Sequence, residues 1–194
     1  SDGVGGLVGY NNNSSISNAY ATGGVIGPSG VGGLVGLNQS GGTIANSYWN
    51  TETTGQTASA GGIGLTSAQM LFANSFVGFD IDDQGGTGKI WRIYEGQTGP
   101  LLRAFLTPLA VKADDYHTVY SGSNQNSSSY TNSVQNADTS KIKGNAVYEG
   151  AGKNAGVYKS QLSGLYSEQN GYDLAFEAAE VKIDKATISN ITGI

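Results

Sequence analysis

The chain has 194 residues, with 31 glycines, no cysteine, 10 Lys or Arg against 15 Asp or Glu, and a net charge of −5. The missing cysteine excludes disulfides, thiolate metal sites and cysteine catalysis, and the few scattered basic residues argue against nucleic-acid binding. The glycine share is more than twice the average, which is typical of a secreted, extended all-β protein; the 11 Tyr, 5 Phe and 2 Trp lie at patterned positions and argue against disorder.

The first fifty residues contain two copies of the same sequence. Residues 3–11 recur as residues 30–38, 27 positions later, and residues 15–20 recur as residues 43–48, 28 positions later. The one-residue difference falls between the two phrases, at Ser40-Gly41-Gly42, where a turn can absorb it. A fixed period of about 20–50 residues predicts stacked repeats, in which no single unit can bury its own apolar side.

Each repeat predicts short strands joined by Gly and Asn corners, because glycine at this density is costly in a helix. The phrases around Ile16 and Ile44 alternate, which is the strand pattern. We therefore expect the rungs of a Gly-rich β-solenoid with Leu, Val and Ile inside. Asn18 and Asn46 are expected to stack as a polar ladder.

A closing segment follows the repeats. Tyr48 and Trp49 end the series of apolar core positions of the repeats. Thr66 with Gln69 forms a capping box that predicts a short helix through about Ala73. This helix is expected to plug the solenoid end. Residues 76–81 and 90–94 read as two strands around a flexible loop at 82–88, and residues 101–106 as a buried run.

A second module is predicted beyond Thr107-Pro108, since proline lacks a donor and stiffens a junction. Residues 109–113, 116–120 and 179–184 alternate between apolar and polar side chains, with further strand candidates between them, which predicts a small antiparallel β-sandwich. The predicted domains are residues 1–106, residues 107–184, and residues 185–194 as the start of a further module or a linker. The sequence begins in mid-repeat, so we expect it to be a piece of a longer chain.

These residues resemble a known family. Val4-Gly-Gly-Leu-Val-Gly-Tyr-Asn and its copy at Val31 resemble the GLUG motif of bacterial exoproteins of the filamentous haemagglutinin-like class. The segments Tyr48-Trp-Asn-Thr-Glu-Thr-Thr-Gly and Tyr94-Glu-Gly-Gln-Thr-Gly-Pro-Leu-Leu-Arg are similar to those that close such arrays. Gly156-Val-Tyr and Gly171-Tyr-Asp resemble the MBG or YDG β modules that follow them, although Tyr120-Ser-Gly departs from Tyr-Asp-Gly.

The resemblance implies a secreted or cell-surface bacterial protein without catalytic residues in these modules. It implies export through an outer-membrane two-partner secretion transporter, by way of regions outside this chain, and a role in adhesion, aggregation or biofilm matrix. The expected function is a stalk segment of an adhesin or extracellular fibre. The alternatives are a self-assembling filament subunit, a module that binds polysaccharide or host glycans directly, and a polysaccharide-degrading β-helix enzyme.

Few residues are candidates for a site. The only histidine, His117, reads as an ordinary strand residue and not as a catalytic base. Asp80, Asp82 and Asp83 are the candidate ligands for Ca²⁺ and the place to seek a glycosidase carboxylate pair, with a solvated acidic loop as the competing interpretation. The tyrosines that could stack on sugars are Tyr116, Tyr130, Tyr166 and Tyr172, for which core packing is the alternative. No catalytic or cofactor-binding residue, no nucleic-acid partner and no membrane insertion is expected.

Overall fold

The computed structural model describes residues 3–187, and these residues form an all-β structure. Within that range the helical elements are short 3₁₀ helices, at Gln69–Leu71, Ala73–Ser75, Arg103–Phe105 and Thr139–Lys141. The chain divides into two compact units. The first comprises Ser1–Asp83 and Lys89–Arg103, and the second comprises Gln84–Gly88 and Ala104–Ile194. Thr107 and Pro108, which the sequence suggested as a junction, already belong to the first strand of the second unit.

The two repeats of the first unit pair strand by strand. Their strands are β1 Val4–Gly5, β2 Val8–Asn12, β3 Ser15–Ser17, β4 Tyr20–Ala21, β5 Val31–Gly32, β6 Val35–Gln39, β7 Thr43–Ala45 and β8 Tyr48–Asn50. The pairs β1/β5, β2/β6, β3/β7 and β4/β8 are all parallel, and each joins equivalent positions of the two phrases. The extra residue of the second repeat is taken up at Ser40 and Gly41, which both have positive φ, 50° and 78°.

The polar ladder lies at a different place from the one predicted. Asn18 and Asn46 are exposed corner residues with φ of 51° and 44°, and asparagine tolerates this left-handed conformation better than most residues. The stacked amides are those of Asn11 and Asn38, where the Asn11 side-chain NH₂ donates to Asn38 Oδ1 at 2.8 Å. Because Asn11 is buried, this hydrogen bond ties the two repeats together in their interior.

An aromatic cluster lies beside the two repeats, at their paired residues Tyr20 and Tyr48. Strand β9, Ile63–Leu65, continues the parallel sheet from β8. The cluster is built from Tyr48, Leu65, Met70, Phe76, Phe79 and Ile93, with Tyr20 and Trp91 packed against it. The capping box is confirmed: the Gln69 N–H donates to Thr66 Oγ1 at 3.2 Å, and the Thr66 N–H donates to Gln69 Oε1 at 2.9 Å.

The remaining strands of the first unit are shorter than the sequence predicted. They are β10 Ile81–Asp82, β11 Trp91–Arg92 and β12 Leu101–Leu102, joined in the order β10-β11-β12. The segment at 76–80 is not a strand, because Phe76 and Phe79 turn into the aromatic cluster and Gly78, at φ 90°, reverses the chain between them. Gly78 also lies directly against Asn46, where an added Cβ would come within 2.3 Å of the Asn46 Cγ.

The second unit contains two sheets. Its strands are β13 Thr107–Ala113, β14 Tyr116–Val119, β15 Tyr130–Asn132, β16 Lys143–Glu149, β17 Gly156–Tyr166, β18 Tyr172–Glu177 and β19 Ala179–Asp184. One sheet has the order β15-β13-β18 and the other β14-β19-β17-β16. The predicted alternation is confirmed, since Leu109, Val111 and Ala113 of β13 and Ala179, Val181 and Ile183 of β19 are buried.

The sheets of this unit are mixed and not antiparallel as predicted. Strand β13 pairs with β18 in parallel, and β14 pairs with β19 in parallel. The early strands of the unit are therefore joined to its late strands, so the sheet order depends on pairings between distant parts of the chain. Of the further module predicted from residue 185, Lys185–Thr187 form no strand and the rest lies outside the described residues.

Candidate functional site

Two of the acidic residues proposed for Ca²⁺, Asp80 and Asp82, make ion pairs where the sheet β10-β11-β12 begins. Asp80 accepts from Lys89 Nζ at 2.7 Å and from the Ile90 N–H at 3.1 Å. The hydrogen bond from Lys89, followed by that from Ile90, lowers the pKa of Asp80, and the same pair raises the pKa of Lys89. This carboxylate is thus held ionised next to a cation of the protein itself.

Asp82 faces a different cation. Its Oδ1 lies 2.8 Å from Arg103 Nη2, and both side chains are largely withdrawn from solvent. Within the described part of the chain, no group of three or more His, Asp or Glu side chains is placed to hold a metal ion. Asp80, Asp82 and Asp83 are adjacent in sequence, but two of them already have cationic partners. Ca²⁺ binding therefore stays a prediction, for which titration is the test.

Arg92 is a buried cation that the sequence did not single out. Only 1% of its surface is exposed, and its guanidinium carbon lies 4.0 Å from the centroid of the Tyr94 ring. Its Nη1 donates to the Ile93 carbonyl oxygen. A buried guanidinium is stabilised by hydrogen bonds and by an aromatic face. The signal available in the sequence was the position of Arg92 inside the apolar run 90–94.

His117 forms the clearest charged cluster of the second unit. Its Nε2 lies 2.6 Å from Asp184 Oδ2, and Lys182 Nζ lies 3.7 Å from Asp184 Oδ1. The hydrogen bond with His117 is the main cause of the lowered pKa of Asp184. All three side chains are about half exposed, so the cluster is a solvated hydrogen bond and ion pair on the sheet surface, where such contacts contribute little to stability.

A shallow cavity of about 310 Å³ lies beside this cluster. His117 and Lys182 line it together with Asp115, Tyr116 and Glu180. These residues offer charges and a phenol, but not the serine, threonine or cysteine nucleophile that a His–Asp pair would activate in a triad. The described residues that line this cavity therefore do not complete a nucleophilic triad around His117.

The tyrosines considered for sugar stacking are not displayed as a platform. Tyr172 is buried, and its hydroxyl oxygen accepts from the Asp138 N–H at 2.8 Å. Tyr116, Tyr130 and Tyr166 are half-buried. Core packing is confirmed for Tyr172, which is a structural residue. The more exposed rings are those of Tyr10 and Tyr120.

The most distinctive surface is the stacking surface of the repeats. Residues 3–50 contain no charged side chain. Leu7 of the first repeat is 45% exposed, whereas the equivalent Leu34 of the second is 0% exposed. The difference arises because Leu34 is covered from both sides: its carbonyl oxygen accepts from the Leu7 N–H, and its own N–H donates to Ser59 Oγ. A repeat thus becomes buried when a neighbour lies on each side of it.

Comparison with known proteins gives two matches. Residues 1–26 match the family model for the GLUG motif. The chain is also 38% identical, over 119 residues and 58% of its length, to a protein of Evansella cellulosilytica described as a Gly-rich membrane protein. The matched stretch spans only 13% of that relative. No solved structure matches.

Both matches point to a cell-surface or extracellular protein. Among residues 3–187, no helix is long and apolar enough to cross a membrane.

Proposed function

We propose that the chain is a stalk segment of a secreted bacterial surface protein that acts in adhesion, aggregation or biofilm matrix. One observation carries this proposal: four successive strands of one repeat pair in parallel and in register with the four equivalent strands of the next. This is how the rungs of a β-solenoid stack, so we interpret the first unit as the end of one. A stack of rungs gives length and stiffness and needs no chemistry at its surface.

The second unit fits the same role as a β module that follows the array, of the MBG or YDG type. Several of its charged side chains lie in exposed pairs, such as Lys143–Glu168 at 2.6 Å and Lys112–Asp115 at 3.1 Å. We propose that neither unit is catalytic. Export through an outer-membrane two-partner secretion transporter is part of the same proposal, and it would depend on regions outside this chain.

A display experiment tests the stalk proposal. The 194-residue chain is placed between an outer-membrane anchor and a small antigen-binding domain, and it is compared with an unstructured Gly/Ser linker of equal length. The flexible linker has a broad distribution of end-to-end distances, with a root-mean-square value of about 75 Å, whereas a folded segment fixes the separation of its ends. We expect energy transfer between dyes on the anchor and on the binding domain to give a narrower distance distribution with the stalk, and an equally broad distribution would contradict the proposal.

Direct glycan binding is the second candidate function, and the same protein tests it without the antigen-binding domain. The purified chain is screened against a glycan array and matrix polysaccharides, with and without Ca²⁺. The stalk proposal expects no specific binding. Specific binding would place the ligand site in this segment, and a requirement for Ca²⁺ would assign a role to Asp80, Asp82 and Asp83.

Self-assembly into a head-to-tail filament is less well supported than the stalk function or direct glycan binding. Such a filament needs two open ends, one to receive a rung and one to supply it. Residues 54–65 cover the second repeat, as shown by the hydrogen bonds from the Gly33 N–H to the Ala58 carbonyl and from the Ala60 N–H to the Val35 carbonyl. Strands β1 to β4 of the first repeat each pair on one edge only, so the first repeat is the open end of the stack.

A further inference from the structure

The segment Gln84–Gly88, here called the strap, lies against strand β18 within the second unit. The Gly86 N–H donates to Asp173 Oδ2 at 2.9 Å, and the Asp173 side chain is buried. Gly85 approaches the β18 backbone so closely that an added Cβ would come within 1.9 Å of the Leu174 carbonyl oxygen and 2.6 Å of the Ala175 nitrogen. Only glycine permits this approach.

Strand β18 ends its sheet, and its own sequence has none of the usual protections of an edge strand. Natural edges are kept from pairing with other chains by shortness, by Lys or Pro, by bulges, or by a covering loop. The other edge strands of this unit use the first three: β15 and β14 have three and four residues, and β16 carries Lys143 and a bulge between Gly144 and Val147. Strand β18 has six residues, Tyr172–Glu177, with no Lys, Pro or bulge.

We propose that the strap guards the edge of β18, and that this edge is a latent surface for pairing with β18 of a second copy of the chain. The sequence of β18 favours an antiparallel pair about a two-fold axis. In the register that centres on Leu174, Asp173 faces Ala175 and Tyr172 faces Phe176 of the other copy, so no two acids are opposite. A parallel in-register pair would place Asp173 against Asp173, which is unfavourable.

A matched pair of glycine substitutions tests the guard. Gly85→Ala collides with the β18 backbone, whereas Gly88→Ala places its Cβ in open space in the same strap. Light scattering over a concentration series is measured for both variants and the unmodified chain. Relative to the other two, we expect Gly85→Ala to associate into dimers roughly tenfold or more tightly, as measured by the dissociation constant. Hydrogen exchange at residues 173–176 should be faster in its dilute samples.

Two further variants keep the test decisive. Asp173→Ala removes both carboxylate oxygens, and with them the acceptor for the Gly86 N–H, and it carries the test if Gly85→Ala does not fold. Ala175→Glu, added to the associating variant, places a second acid opposite Asp173 of the other copy and should return it to the original association state. A Gly85→Ala protein whose strap exchanges faster but which associates no more than the Gly88→Ala protein would overturn the proposal. Association that Ala175→Glu leaves intact would overturn it as well.

Discussion

Glycine in this protein is required at particular contacts and is optional at others. Gly33 lies under Trp49, where an added Cβ would come within 2.0 Å of the indole ring, and Gly32 lies as closely against the Val35 carbonyl. At Gly23, by contrast, nothing lies within 4 Å of the position of such a Cβ. The high glycine content therefore reflects, in part, close packing between chain segments and indole rings.

Substitution of these glycines should separate the two cases. We expect Gly33→Ala to lower the free energy of unfolding of the first unit by about 1–3 kcal/mol, because the Trp49 ring must leave its place in the core. Gly23→Ala is the matched control and should leave it unchanged or raise it by about 0.4–1 kcal/mol, because alanine restricts the unfolded chain. Denaturant unfolding monitored by tryptophan fluorescence measures both. Equal effects would contradict the packing argument.

The Asn11–Asn38 amide pair should also contribute more to the free energy of unfolding than the exposed asparagines around it. Asn11→Ala leaves Asn38 without this donor in a buried site, and we expect a loss of about 1–3 kcal/mol. Asn12→Ala, at the exposed neighbouring position, should cost less than about 0.5 kcal/mol. A double-mutant cycle with Asn38→Ala measures the coupling, and additive effects would show that the pair does not act as a unit.

At the scale of strands and turns, the exposed ion pairs make stability depend on pH. Asp80, Asp115, Asp138 and Asp184 all have a lowered pKa in the folded protein, chiefly through hydrogen bonds that favour the carboxylate. Their contribution to the free energy of unfolding is therefore present above the carboxyl pKa of the unfolded chain. It is lost as the pH falls through the carboxyl pKa of the folded protein. Lys89 has a raised pKa, so its contribution is present below its unfolded pKa and is lost as the pH rises through the folded value.

Asp80→Asn should isolate one of these contributions. We expect the free energy of unfolding of the unmodified chain to fall below about pH 4. The fall should be shallower in Asp80→Asn, which has no carboxylate to protonate opposite Lys89. The difference should shrink in 1 M salt, which screens exposed charges. An identical pH profile for the two proteins would show that the Lys89–Asp80 pair adds nothing to stability.

Local sequence patterns predicted which residues form strands and turns better than they predicted which strands pair with each other. The repeated phrases set the pairing of β2 with β6 correctly, since equivalent residues recur at a fixed spacing, and the Thr66–Gln69 capping box depends only on residues three apart. The alternation at Ile16, Asn18 and Tyr20 predicted one continuous strand. This was wrong, because the backbone turns at Asn18, where φ is positive. The occurrence of asparagine at this corner in both repeats was the available signal.

Contacts between residues far apart in the chain could not be predicted from the sequence. The parallel pairing of β13 with β18 joins residues more than sixty positions apart, and nothing in either strand specifies its direction. The partners of Asp80 and Asp82 were similarly hidden, since Lys89 and Arg103 are brought to them only by the pairing of β10, β11 and β12. The acidic stretch therefore read as a loop open to Ca²⁺.

At the scale of the whole molecule, each unit has its own buried core. The first is built on Leu34, Trp49 and the aromatic cluster, and the second on residues such as Leu109, Leu174 and Val181. A unit with its own core can unfold as a unit. This separation has a thermodynamic consequence that calorimetry can detect.

We expect two calorimetric transitions, each sensitive to substitutions in only one unit. Gly33→Ala should lower the midpoint of one transition. Leu174→Ala removes a side chain that is 0% exposed, so it should lower the free energy of unfolding of the second unit by about 2–5 kcal/mol. The midpoint of the other transition should fall accordingly. If each substitution moves both midpoints equally, or only one transition is seen, the chain unfolds as a single cooperative body.

The in-register pairing of the repeats also bears on how such a chain can change over generations. Each position of one repeat meets its own equivalent in the next, so a duplicated repeat inserted between them would find the same neighbours on both sides. The corner at Ser40 and Gly41 shows that even a one-residue difference is absorbed locally. Gene duplication or deletion can therefore lengthen or shorten the array by whole repeats, and under the stalk proposal each such change would alter the length of the stalk without altering the other modules.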